Sequence, residues 1–548
     1  MPKLKTSESD LLRIAPVSID GCKGRIGLTF CPGKKQRNSM TGPWDRDLEA
    51  DLKVIQSFGT AALVTLMEDH ELLEVMVPPD KLEAGASAHA MEWHHLPIRD
   101  VSVPDEYFEV LWVYSGLRLR RLLIEGRDIV IHCRGGLGRT GMIGARLLVE
   151  LGVEPDVAIR RVRAARLGSI ETPDQEEHVR KYREIASPDT EPSHAERFLG
   201  CLLGGAVGDA FGYAVEFDSI SAIRKKFGRM GIQRPSLTDG KLVVSDDTQM
   251  TLFTLEGILK GLEEPAPSTA TIVESIRLSY LEWLGTQGEG HGNPRKSRGW
   301  LAHCPELQVC RAPGMTCLSG LRQEGPGTIK NPLNESKGCG GAMRSAPVGL
   351  FCRFDPTQAF ELGARSAAIT HGHPSGYLSA GMVSAIVRCL VHGMDIYAAN
   401  EKSMQILQGW GGCKETFRAV TKALRLMRRG TNGPETFLSR EQQDHLREKL
   451  LAAKGRPSTI HSIGGGWVGE EALAIGLYAV LVSTSYVEAI RIASNHDGDS
   501  DSTASIAGQI WGAWKGLMGI PHSWITKLDV LVPALRLARE TLGSASVV

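Results

Sequence analysis

Apolar residues fall into two textures along this chain. In the first third they come in short runs: "AALVTLM" (61–67), "HHLPI" (94–98) and "DIVIHC" (128–133) are β-rich, and "TGMIGARLLVELG" (140–152) places its apolar residues at helical spacing. Short strands alternating with amphipathic helices predict an α/β unit. Residues 185–195, "IASPDTEPSHA", have no period and are rich in proline, serine and charge, which predicts a linker. Beyond it the segments lengthen, as in "FLGCLLGGAVGDAFGYAVEF" (198–217), "QMTLFTLEGILKGL" (249–262), "ESIRLSYLEWL" (274–284) and "SAGMVSAIVRCLVHGM" (379–394). Alternating strands are scarce there, so a mostly helical second unit is expected. The division expected is 1–187, a linker at 188–195, and 196–548.

Glycine adds a second pattern. Gly200, Gly204, Gly208 and Gly212 recur every fourth residue, as do Gly508, Gly512 and Gly516. A mid-helix glycine costs about 1 kcal/mol relative to alanine, so each stripe needs an offset. Close packing of helix backbones is the expected one, ahead of a ligand approaching the backbone.

Length and composition bound the rest. A chain of 548 residues exceeds the size at which single cores stop growing. Its 63 basic and 63 acidic residues balance, which disfavours a large nucleic acid without excluding one and gives no sign of a membrane-surface protein. Eleven scattered cysteines, without Cys-x2-Cys pairs, argue against a disulfide framework or a zinc ribbon and for a reducing cytosol. The N-terminus shows no apolar leader pattern. No run reaches the roughly 18 apolar residues of a membrane span; the nearest, "ALAIGLYAVLV" (472–482), reads as a buried helix.

Two constellations carry chemistry. In "IVIHCRGGLGRTGM" (129–142) a strand runs into His132 and Cys133, and a helix opens near Arg139. The loop Cys133, Arg134, Gly135, Gly136, Leu137 and Gly138 would then present backbone N–H groups as an anion cradle, and the same field favours a thiolate nucleophile. Arg139 can hold two phosphoryl oxygens while the sulfur attacks phosphorus, and Thr140 can donate to the sulfur as it later leaves. A nucleotide-binding loop of the Gly-x4-Gly-Lys-Ser/Thr kind does not fit, since this loop is too short and has Arg139 where a lysine belongs.

The second constellation is acidic. "VVSDDTQM" holds Ser245, Asp246 and Asp247, and "HDGDSDST" holds Asp497, Asp499, Asp501 and Ser502. Either cluster alone reads as a solvated turn. Should they converge, like charges about 4 Å apart repel by roughly 4 kcal/mol per pair at an effective dielectric near 20, and a cation is almost required. Carboxylate and hydroxyl donors favour magnesium, manganese or calcium over zinc. Spacing alone cannot bring them together.

At these residues two resemblances enter. "HCRGGLGRTG" resembles the signature loop of cysteine-dependent tyrosine and dual-specificity phosphatases, "HHLPIRDVSVPD" (94–105) the acid loop of the cyclin-dependent-kinase-associated subgroup, and "GSIETPDQEEHVRKY" (168–182) that subgroup's closing segment, with Gln175 at a glutamine position. That resemblance covers nearly all of 1–187 and implies Asp100 as general acid, with Asp105 the second choice. Downstream, "GCLLGGAVGDAFGYAVEF", "SDDTQM", "RAPGMTCLSGL", "SKGCGGAMRSAPVGL", "THGHPSGYLSAG" and "HDGDSDSTASIAG" occur in order and resemble the ADP-ribosylglycohydrolases, including the dinitrogenase-reductase-activating glycohydrolase.

The second resemblance implies an all-α hydrolase with two magnesium or manganese ions. Their ligands would be Ser245, Asp246 and Asp247 from one segment and Asp499, Asp501 and Ser502 from the other, where the family often has threonine at 245 and 502. It further implies Glu216 on a gating loop, Gly338, Gly340 and Gly341 in a loop accepting a diphosphate, His371 near the ribose, and proton transfer by Asp247 or Glu216. The two glycine stripes would then pack against each other and hold the acidic clusters in register. The expected protein is a bifunctional cytosolic hydrolase whose substrate, a protein or a small molecule, is ADP-ribosylated, phosphorylated or both. The rival is a sensor that binds ADP-ribose or a phospho-ligand with one or both sites silent.

Overall fold

The computed structural model describes residues 4–39, 42–185, 191–288, 299–428 and 457–544. The chain forms two units, Met1–Glu191 and Pro192–Val548.

The first unit is built on a five-stranded sheet. In chain order its strands are β1 (Ala15–Ser18), β2 (Arg25–Phe30), β5 (Thr60–Thr65), β6 (Glu92–His95) and β7 (Asp128–Cys133), while β3 (Lys35–Gln36) and β4 (Trp44–Asp45) make a separate small pair. The spatial order is β1-β2-β7-β5-β6, with only β1 antiparallel to its neighbour. β5 and β7 are buried along their whole length, which is why they read as continuous apolar runs. Register places Cys133 opposite Phe30 and His132 opposite Thr65, so the cysteine ends the central strand at the sheet's carboxyl edge. From there the chain turns into the helix Gly138–Glu150, every residue of which is buried.

Two short strands, β1 and β2, lie outside the runs singled out from the sequence. Gly24 and Gly27 interrupt the apolar pattern near β2, yet glycine is required there: a Cβ on Gly27 would stand 2.5 Å from Ile14 Cγ2.

Among the described residues of the second unit no β-strand occurs, only isolated bridges between loops. The predicted linker ends earlier than composition suggests. Ser193 caps the helix His194–Tyr213, its side chain accepting from the Glu196 N–H while the Glu196 carboxylate reaches back to the Ser193 N–H, so a capping box starts the helix inside the proline- and serine-rich stretch. The run 472–482 lies in the buried helix Gly469–Val482, as expected. A second helix, Pro374–Val391, is long and apolar enough on average to cross a membrane, with mean hydropathy 1.2, but 94% of it is buried inside the helical unit. Its serines, glycines and Arg388 interrupt the apolar run in the sequence.

The glycine stripes face each other. A Cβ on Gly200 would stand 2.6 Å from the Gly512 carbonyl oxygen, one on Gly204 2.7 Å from that of Gly508, and those on Gly208 and Gly212 would overlap the carbonyls of Ala504 and Ser500. Helices His194–Tyr213 and Ser500–Lys515 therefore touch backbone to backbone over about three turns. Gly516 serves differently, because its φ of +73° ends the second helix in a conformation that favours glycine.

Candidate active sites

In the first unit the loop after β7 folds back on the cysteine. Gly136 donates its N–H to Cys133 Sγ at 3.2 Å. Its φ is +72°, and a Cβ there would overlap the Thr29 backbone, so only glycine closes the loop this tightly. Gly138, at the helix N-terminus, donates its N–H to the Glu171 carboxylate at 2.8 Å. A carboxylate thus sits where the loop offers a donor to an anion. Lys34 Nζ, on a buried side chain, donates to the Arg134 carbonyl at 3.4 Å, and Arg166 Nη2 to the Gly135 carbonyl at 3.1 Å. Burial lowers the Lys34 ammonium to about 8, although it lies over the Phe30 and Trp44 rings.

Arg139 is 2% exposed and its fork is fully engaged. Nη1 and Nη2 donate to the two Glu71 oxygens at 2.6 and 2.9 Å, Nη1 also to the Ile98 carbonyl at 2.8 Å, and Nη2 lies 2.8 Å from Asp100 Oδ1. Burial alone would raise the Glu71 carboxyl, but the Arg139 hydrogen bonds and charge outweigh it and hold the group below the usual carboxylate range. Thr140 Oγ1, the hydroxyl expected to serve the sulfur, is buried without a partner. His132, wholly buried, shares a 2.8 Å hydrogen bond with Thr65 Oγ1, and burial lowers its imidazole to about 3. It is a neutral brace.

Asp100 and Asp105 separate cleanly. Asp100 is exposed and lies on Arg139, at the mouth of the loop. Asp105 accepts from the Phe108 N–H at 2.9 Å as the cap of the helix Glu106–Ile124, so its carboxylate is committed to helix ends. Leu137 supplies the non-helical residue before Gly138. Gln175 is buried and holds the loop from behind: its Oε1 accepts from the Glu171 N–H and its Nε2 donates to the Ser102 carbonyl.

In the second unit two helix N-termini meet. Ser245 caps the helix Asp246–Leu262 and Asp499 caps Ser500–Lys515, which puts Asp246, Asp247 and Asp501 in first turns, where the positive helix ends favour carboxylates. Ser502 Oγ donates to Asp247 Oδ1 at 3.4 Å across 255 residues of sequence. Glu216, Asp499 and Asp501 offer oxygens within 4.8 Å of one another. Asp246 accepts from the Gly314 N–H at 3.1 Å.

Beneath them lies Asp209, a residue of the glycine-rich segment 200–217 to which the sequence pattern assigns no role. It is fully buried and accepts from the backbone N–H groups of Ser245 at 3.0 Å and Thr248 at 3.0 Å, pinning the start of the first-cluster helix. Burial raises it to about 6 despite those bonds. Burial and mutual repulsion raise Asp246, Asp247 and Asp501 well above the usual range and bring Glu216 to about 9. Each like-charged pair at this spacing costs about 3 kcal/mol at an effective dielectric near 20. Asp247 Oδ2 and Glu216 Oε2 are buried with no hydrogen-bond partner. Orphaned carboxylate oxygens, hydroxyls and mutual repulsion are what dications satisfy, so the donor set fits them.

The glycine loop 338–341 closes beside this cluster. Gly338 donates its N–H to Ser336 Oγ at 3.2 Å, and Cys339 donates its N–H to the Trp467 carbonyl at 3.2 Å. Cys339, also unassigned from the sequence, donates its thiol to Asp499 Oδ2 at 2.8 Å. His371 packs against the loop, since Cβ atoms on Gly338 or Gly340 would stand 3.1 and 3.2 Å from its Nε2. It is buried, bonded to Thr370 Oγ1 at 2.8 Å and lowered to about 3 by burial and Arg344. A neutral histidine under a glycine loop is first of all a packing residue. Arg344 is wholly buried and donates to Thr370 Oγ1, Cys317 Sγ and Met250 Sδ.

Comparison with known proteins agrees with this division. The family model of the ADP-ribosylglycohydrolases matches residues 190–546, and that of the "Swiss Army Knife protein, DSP-PTPase phosphatase domain" matches 44–198. The chain is 26% identical over 350 residues to the ADP-ribosyl-[dinitrogen reductase] glycohydrolase of Rhodospirillum rubrum, covering 63% of this chain and 94% of that protein. It is 29% identical over 174 residues to cyclin-dependent kinase inhibitor 3 of Rattus norvegicus, covering 31% and 76%. Among solved structures it is similar to a kinase associated phosphatase carrying serine for its catalytic-site cysteine, at 27% identity and TM-score 0.27, covering 31% of this chain and 92% of that one.

Proposed function

We propose a function that proceeds from one premise: the chain belongs to the ADP-ribosylglycohydrolase family through residues 190–546, and carries a DSP-PTPase phosphatase domain before it. The proposed protein is a bifunctional hydrolase that releases ADP-ribose from a modified acceptor and phosphate from a phosphomonoester. The observation that carries it is convergence. Asp247 and Ser502, 255 residues apart, meet at 3.4 Å inside a buried acidic cluster with two orphaned oxygens.

In the first unit Cys133 Sγ attacks phosphorus as the ester P–O bond breaks, and Asp100 gives its proton to the departing oxygen. The N–H groups of the 134–138 loop and the Arg139 fork hold the phosphoryl oxygens, with the loop donor now on Glu171 turning to the substrate and Asp100 giving up Arg139 Nη2 as it moves to the departing oxygen. In the second step Asp100 takes a proton from water, the new P–O bond displaces the sulfur, and the Thr140 hydroxyl donates to it. Glu71 holds the arginine fork from behind throughout.

In the second unit Ser245, Asp246, Asp247, Asp499, Asp501 and Ser502 would hold two magnesium or manganese ions, which bind the ribose diol and polarise a water when present. Asp209 fixes the first-cluster helix so that Asp246 and Asp247 project together. Glu216, whose Oε2 is unpartnered, accepts and returns the proton at that atom as water adds to the anomeric carbon and the acceptor leaves. The 338–341 loop would take the diphosphate through the N–H groups of Gly340 and Gly341, since those of Gly338 and Cys339 donate to Ser336 and Trp467, and His371 packs against the loop.

Both activities are tested on the full-length protein. With p-nitrophenyl phosphate, turnover is expected and should vanish in Cys133→Ser but persist in Asp501→Ala. With an ADP-ribosylated protein, ADP-ribose release should require magnesium or manganese and vanish in Asp501→Ala but persist in Cys133→Ser. No turnover in either assay, with ligand binding retained, would make the protein a sensor.

A further inference from the structure

The glycine loop beside the acidic cluster carries a thiol that none of the proposed chemistry uses. Cys339 Sγ donates to Asp499 Oδ2 at 2.8 Å. Ser502 Oγ stands 3.6 Å from the same sulfur, 3.8 Å from Met343 Sδ and 3.4 Å from Asp247 Oδ1. Asp499, Ser502 and Asp247 therefore surround one small volume that also contains a cysteine sulfur and borders a methionine sulfur. Asp247 is 2% exposed and its Oδ2 is unpartnered, as is Oε2 of Glu216 at 8% exposure. Buried carboxylate oxygens without donors point to a cation in that volume, independently of the thiol.

The chemistry of the donors decides which cation. Oxygen donors alone suit hard ions such as magnesium, whereas one thiolate among them shifts preference to softer dications. We infer that Cys339 makes this centre a site for a thiophilic dication, Zn2+ or Cd2+, held by its sulfur together with oxygens of Asp499, Asp247 and Ser502, and that such a cation displaces a hard ion from the same place. On binding, the S–H bond breaks, the sulfur–cation bond forms and the proton leaves to the buffer; nothing is oxidised. Zinc would thus switch off the ADP-ribosyl hydrolase.

This inference rests on the reading of the cluster as a cation centre, so two signals are read from the same full-length samples. Cadmium is titrated into the wild type, Cys133→Ser and Cys339→Ser while the ultraviolet charge-transfer band of cadmium thiolate is followed. Wild type minus Cys339→Ser isolates Cys339 and wild type minus Cys133→Ser isolates Cys133, while the other nine of the eleven cysteines contribute equally to all three and cancel. A difference band saturating near about one equivalent is expected between wild type and Cys339→Ser, in which cadmium should bind at this centre about tenfold more weakly or worse. A band that persists undiminished in Cys339→Ser overturns the inference. Should that variant misfold, wild-type protein is labelled with iodoacetamide with and without zinc and the modified peptides are identified by mass. Zinc should protect Cys339, and equal labelling overturns the inference as well. Enhancement of water-proton relaxation by manganese reports on the cation centre by itself: its absence in the wild type sinks that reading, while the cadmium band still decides Cys339.

Discussion

At the scale of single residues the arrangement around Arg139 makes a specific demand. The guanidinium is buried, and Glu71 fixes it by accepting from both Nη atoms. Glu71→Gln keeps the shape but removes the charge and one acceptor, leaving a desolvated arginine free to turn toward the Leu66 and Ile98 carbonyls it already touches. A displacement of about 1 Å at a clamp costs on the order of 100-fold in rate, so kcat/KM for p-nitrophenyl phosphate should fall about 10- to 100-fold. Alkylation of Cys133 should be unaffected in saturation, and full activity in Glu71→Gln would refute the role. The pair also has a pH signature. Glu71 is depressed in the folded protein, so its contribution is present above the ordinary carboxylate range and is lost as pH falls through its lowered folded value. Acid titration monitored by circular dichroism should therefore destabilise the first unit more in the wild type than in Glu71→Gln. Cys133, Arg139 and Asp100 were legible in the sequence because one loop and one short segment carry them. Glu71, Asp209 and Cys339 were not, because each acts through an element distant in the chain and none stands in a motif that declares its partner. Asp105 shows the converse: it shares a loop with Asp100 and stays a second candidate until it is found capping a helix.

At the scale of elements the glycine stripes were the most informative pattern, since a period of four on two segments predicts two faces without side chains, and the structure puts those faces together. What the pattern could not give was the consequence: the helix carrying Gly208 also carries Asp209, and the helix carrying Gly508 begins at Asp499, Asp501 and Ser502. Backbone contact thereby sets the spacing of the carboxylates. In Gly512→Leu the new side chain meets the Gly200 carbonyl, which cannot move without shifting the whole helix. Overpacking of this kind costs about 1–3 kcal/mol or more. The variant should lose manganese affinity by about tenfold or more and unfold at lower temperature, while its p-nitrophenyl phosphate turnover stays intact. Gly543→Ala, where a Cβ meets nothing within 4 Å, is the matched control and should behave as wild type. Unchanged manganese affinity in Gly512→Leu would remove the idea that packing holds the clusters. The sheet was less legible than the helices. β7 and β5 announced themselves as buried apolar runs, but β1 and β2 are short and glycine-bearing, and their place beside β7 depends on long-range pairing that no local window contains.

At the scale of the whole molecule, a formal net charge of zero says nothing of how acid is clustered in the fold. The second unit buries Asp209, Asp246, Asp247, Asp499, Asp501 and Glu216 within one region. Their cost in the cation-free protein depends on pH with a definite sign. Asp209 titrates at about 6 and Glu216 at about 9 in the folded state, above the ordinary carboxylate range, so the folded chain holds protons that the unfolded chain has released. Stability from these groups is fully present below the ordinary range and is lost as pH rises through about 6 and then through about 9, at up to about 1.4 kcal/mol per pH unit for each proton. Dications remove the same penalty by replacing the protons, and their stabilisation grows with saturation of the folded state. Calorimetric unfolding in chelator and in manganese, compared at acidic, neutral and mildly alkaline pH, should therefore show a cation-dependent gain that widens as pH rises. Asp209→Asn should shrink the widening across the lower part of that range, because one raised group no longer titrates. A gain of equal size at every pH, or one that narrows toward alkaline conditions, would mean that the buried carboxylates are neutralised by something other than bound cations, and the two-ion centre would have to be given up.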